Sequence, residues 1–79
     1  MVRYRCDDYL ILVRRDRASQ NYVAVVREFP SLSWIADTRV AAAAGLRRLL
    51  ADILDDMYEH GESVPAPQLT PDLVDVQLA

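Results

Sequence analysis

Hydrophobic and polar positions change period twice along this chain. Tyr9-Leu10-Ile11-Leu12-Val13 is an unbroken apolar run with aromatic and β-branched members, which predicts a short strand buried on both sides. Arg14 through Asn21 is polar and holds Asp16, Ser19, Gln20 and Asn21; it lacks an Asn-Gly or Asp-Gly pair, so a long, loose hairpin loop is expected rather than a two-residue turn. Tyr22 to Phe29 reads as the second strand, stopped by Pro30, which has no N–H to give to a sheet ladder. Ser31 to Ala36 can form a short third strand, with Trp34 and Leu32 on one face and Ile35 on the other.

The period then becomes helical, from Thr38 to His60. Asp37 or Thr38 can cap the first turn, and Gly61 supplies the left-handed residue that closes the last. Leu46, Leu50, Ile53 and Met57 recur at spacings of four, three and four and form the expected core stripe, flanked by Leu49, Leu54 and Tyr58. Ala41 to Ala44 favour helix and carry no bulk, so they are expected under the third strand. Gly45 weakens the helix by about 1 kcal/mol relative to alanine, which either a crowded contact there or a tolerated weak point would explain equally well. Arg39 sits in the first turn, where a positive charge opposes the helix dipole.

The flanks are less regular. Asp7-Asp8 disfavours strand in Met1 to Asp8. Beyond Pro65 and Pro67, Val74-Asp75-Val76-Gln77-Leu78 alternates with period two and reads as an added edge strand or a tail that docks on a partner. The sum is one α+β domain over residues 1–79: a three- to four-stranded sheet (β-β-β-α, with a possible β4 edge) packed on one long helix. Its core spans about 9–67, and 68–79 form a tail or edge strand.

Composition sharpens this picture. A chain of 79 residues has limited capacity to bury surface, yet 52% of its residues are hydrophobic; that excess points to apolar surface reserved for another subunit. A formal net charge of -3 argues against general nucleic-acid binding. All basic side chains are arginines, with Arg14, Arg15 and Arg17 expected around the hairpin tip. The single cysteine, Cys6, precludes an intramolecular disulfide; with no signal-like start and no membrane-length apolar run, a cytoplasmic protein is expected.

Candidate chemistry is sparse. His60 is the only histidine, and nothing activates Cys6 as a nucleophile beside it. Asp7, Asp8, Asp16, Asp52, Asp55 and Asp56 would have to converge to hold two metal ions, whereas the helical ones fall on the expected solvent side. Neither a catalytic residue nor a cofactor or metal ligand is assigned. Trp34 is divided between core and partner contact, since tryptophan is common in both settings.

The order of Tyr22-Val23-Ala24, Glu28-Phe29-Pro30-Ser31-Leu32, Asp37-Thr38, Ala42 and Ala43, and Gly61-Glu62-Ser63-Val64-Pro65 resembles the HicB-like antitoxin family across Tyr9 to Pro67. Arg27 and Ser31 stand where that pattern has proline and glycine. The resemblance implies a partial ribonuclease-H-like core that binds a HicA-like, mRNA-cleaving toxin and covers its active site. Ending at Ala79, the chain is expected to be a solitary short form without a DNA-binding domain, and direct DNA binding is not expected. The expected function is therefore non-enzymatic: an antitoxin-type module with Phe29, Pro30, Leu32, Trp34, Val74 and Val76 as partner-binding residues and self-association as a homo-oligomer. The rivals are a homo-oligomeric scaffold with no toxin partner and a small metal-dependent ribonuclease.

Overall fold

The computed structural model describes residues 3–68. A 3-10 turn at Cys6–Asp8 comes first, followed by strands β1 (Ile11–Asp16), β2 (Asn21–Val26) and β3 (Ser33–Ala36), and helix α1 (Arg39–Glu59). The strands form one antiparallel sheet in the order β1-β2-β3, and α1 packs across one face. This is the β-β-β-α arrangement expected from the changes of period. Val74 and Val76 lie outside the described residues.

β1 begins and ends later than the apolar run suggests. Asp8 accepts a hydrogen bond from the Arg5 amide at 2.9 Å and holds a turn there. Tyr9 is thereby delivered into the core instead of opening a strand. β1 then continues through Arg14, Arg15 and Asp16, which shortens the hairpin loop to Arg17–Gln20. The loop closes through the Gln20 amide, which donates to the Asp16 carbonyl at 2.8 Å, with Gln20 at φ 64. Only Arg17 of the three arginines therefore sits in the loop.

Pairing register separates the two faces. Ile11 opposes Val26, Val13 opposes Ala24, and Ala24 opposes Trp34, all on the helix side. Leu12 opposes Val25, while Val23 lies between Arg14 and Ile35 on the other side. β1 is consequently buried on one face only, and the expectation of two-sided burial fails at Leu12, which is 47% exposed.

The core comprises Tyr9, Ala24, Val26, Ala42, Leu46, Leu50 and Leu54. Full burial of each leucine contributes about 2 kcal/mol. The helix buries the i+4 row Ala42-Leu46-Leu50-Leu54, with Ile53 and Met57 only half-buried. The predicted stripe is correct at Leu46 and Leu50 and then departs. Successive i+4 steps rotate slowly around a helix, so the contact line drifts to Leu54.

Both helix ends are closed as the sequence suggests. Thr38 Oγ1 accepts from the Ala41 amide at 3.0 Å. Arg39 leans off the helix end, donating to the Val13 carbonyl at 3.2 Å with its guanidinium 5.1 Å from the Tyr22 ring centroid. Its charge is thus engaged by the sheet. At the other end Gly61 adopts φ 69, and the Glu62 amide donates to the Met57 carbonyl at 2.8 Å. The chain then turns back, and Tyr9 Oη donates to the Pro65 carbonyl at 2.7 Å.

Candidate protein-binding surfaces

Trp34 lies on the helix side of β3, its indole resting on the backbone at Gly45; a Cβ added to Gly45 would fall on the indole ring. Of the two readings open for Gly45, a crowded contact and a tolerated weak point, the structure shows the crowded contact. Trp34 nevertheless remains 42% exposed, so one part of the ring is held by the helix and another faces solvent. Tryptophan fixed in this way loses little conformational freedom when a partner covers it.

The segment before β3 divides its side chains. Phe29 is half-buried and meets Tyr9 edge-on, with centroids 5.6 Å apart. Leu32 packs against the core, and its amide donates to the Phe29 carbonyl at 2.9 Å. Pro30 is exposed. Of the predicted partner contacts within the described residues, Pro30 and Trp34 offer the most surface, while Phe29 and Leu32 also serve the core.

A second apolar surface covers the sheet face opposite α1. Leu12, Val23, Val25 and Ile35 share it, with Ile35 57% exposed. None of these four was singled out from the sequence as a site residue. The available signal was the alternation of Val23 and Val25 with core-facing Ala24 and Val26, together with the opposed directions of Trp34 and Ile35.

The acidic groups are dispersed. Asp7 lies 3.6 Å from Arg47, and Asp8 serves the 3-10 turn. Asp16 accepts from the Ser19 hydroxyl at 2.6 Å, and this bond foremost lowers its pKa. Asp56, His60 and Glu62 do approach one another, with potential ligand atoms within 4.8 Å, but all three are exposed at the end of α1. His60 Nδ1 lies 2.8 Å from the Asp56 carbonyl, and that contact, followed by the Asp56 charge, raises its pKa. The Cys6 thiol contacts Asp7. Burial, then the nearby Tyr58 and Glu28, push the Tyr9 hydroxyl up to about 12, which extends its role as a hydrogen-bond donor into alkaline pH.

Among the described residues, no helix is long and apolar enough to cross a membrane. Set against protein-family models, curated proteins and solved structures, the chain matches none.

Proposed function

We infer that this chain is a non-enzymatic protein-binding module that works by occlusion, and that its partner is a HicA-like, mRNA-cleaving toxin. The partner class comes from the sequence resemblance. The observation that carries the binding role is the half-exposed Trp34, braced on Gly45 beside the helix. A rigid aromatic anchor suits an interface hot spot, whose truncation costs 2 kcal/mol or more, about thirtyfold in affinity. Pro30 adds exposed apolar surface in the turn leading to β3.

Co-expression with a small basic HicA-like ribonuclease tests the reading. The chain is expected to co-purify with the toxin and restore growth, with mRNA cleavage suppressed. Trp34→Ser and Pro30→Glu are each expected to weaken that protection while the far-UV circular dichroism is retained. Toxicity unchanged by the wild-type chain would overturn the toxin assignment.

The open sheet face favours a second reading, a homo-oligomeric scaffold without a toxin. It shares the binding role but needs no RNA-cleaving partner. Recovery of only the chain itself from its native host would favour the scaffold.

A further inference from the structure

The sheet face opposite α1 is built from two cross-strand rows. Leu12, Val25 and Ser33 form one row across the three strands, and Arg14, Val23 and Ile35 form the next. Val23 and Val25 occupy the central strand, with Leu12 on one edge strand and Ile35 on the other. Leu12 and Ile35 are both exposed. Val23, Val25 and Ile35 give the rows a β-branched centre, a surface suited to a second sheet.

We propose that this face is where two copies of the chain associate, sheet against sheet, as an isologous dimer. A two-fold axis lying in the interface parallel to β2 sets Val23 and Val25 against their own copies. The same axis places Leu12 over Ser33 and Ile35 over the aliphatic stem of Arg14. The head of Arg14 then reaches toward the partner's Asp37, which directly follows β3. The pairing is reciprocal, so each contact forms twice. The match of Arg14 to Asp37, opposite charges that the same axis brings together, favours a second copy over an unrelated protein. It deepens the protein-binding reading without depending on the toxin, because Trp34 lies on the other side of the sheet.

Area sets the strength. Three strands of this length present a face of roughly 15 Å by 20 Å. A standard stable interface covers about 800 Å² on each partner. The paired faces therefore form a concentration-dependent dimer rather than an obligate one, leaving both Trp34 surfaces accessible.

Sedimentation of the full chain over a concentration series from about 1 to about 500 µM tests this by mass action. The apparent mass should climb from one chain toward two. Ile35→Lys should hold the mass at one chain with the circular dichroism unchanged, whereas Ile35→Leu should retain pairing. Arg14→Glu and Asp37→Arg should each weaken association, and combining them should restore it. Trp34→Ser, which tests the toxin contact, should leave pairing intact. A wild-type chain that stays single throughout, or an Ile35→Lys variant that still pairs, would overturn the proposal. Failure to bind a toxin while pairing persists would overturn only the toxin assignment.

Discussion

Trp34 occupies the space that a side chain at Gly45 would need. Gly45→Ala gains about 1 kcal/mol in helix propensity but forces the indole or the helix to move, at a cost of about 1–3 kcal/mol. The larger effect is the clash, so the variant should unfold at lower urea. Combining it with Trp34→Ala should remove the steric part of that loss. A more stable single Gly45→Ala variant would contradict the packing.

Tyr9 joins the core to the returning chain through the Pro65 carbonyl. Tyr9→Phe should lose about 1–2 kcal/mol, because it removes the donor and leaves the carbonyl without that partner. The raised Tyr9 pKa favours the protonated folded state. Its stabilising contribution is complete below the unfolded value of 10.0 and disappears as pH rises through about 12. Alkaline melting curves should therefore fall more steeply for wild type than for Tyr9→Phe over that range.

His60 and Asp16 should move stability in opposite directions with pH. The raised His60 pKa gives a contribution present below 6.5 that fades as pH rises through the folded value. The lowered Asp16 pKa gives one present above 3.8 that fades as pH falls through the folded value. Melting temperatures of His60→Ala and Ser19→Ala across the acid-to-neutral range should separate them. His60→Ala should flatten the change around neutrality, and Ser19→Ala the change at acid pH.

Thr38 accepts the Ala41 amide at the start of α1. Thr38→Ala should cost about 1 kcal/mol, and Thr38→Ser should recover most of it. Denaturant midpoints at constant slope would measure both. Equal stability of all three chains would remove the cap as a source of helix stability.

The helix was legible because its local signals agree: Thr38 starts it, Gly61 closes it, and leucines mark its inward side. The first strand was less so. A continuous apolar run does not show which positions a tertiary fold covers, and only the register reveals that Leu12 faces away from α1. Likewise, Ile53 and Leu54 are equally hydrophobic neighbours, and the helix's placement on the sheet selects Leu54. Trp34 could be assigned both roles because its ring meets Gly45 and solvent together. The open sheet face escaped residue-level prediction because its members come from three strands and meet only after pairing.

The Tyr4 amide donates to Tyr58 Oη at 2.6 Å, and the Gln68 amide is held by Glu28, whose neighbour Phe29 meets Tyr9 edge-on. Both ends of the described chain thus leave from one pole, and the Arg17–Gln20 loop marks the opposite one. The described chain therefore enters and leaves on the side away from the hairpin, with the two lateral surfaces between the poles.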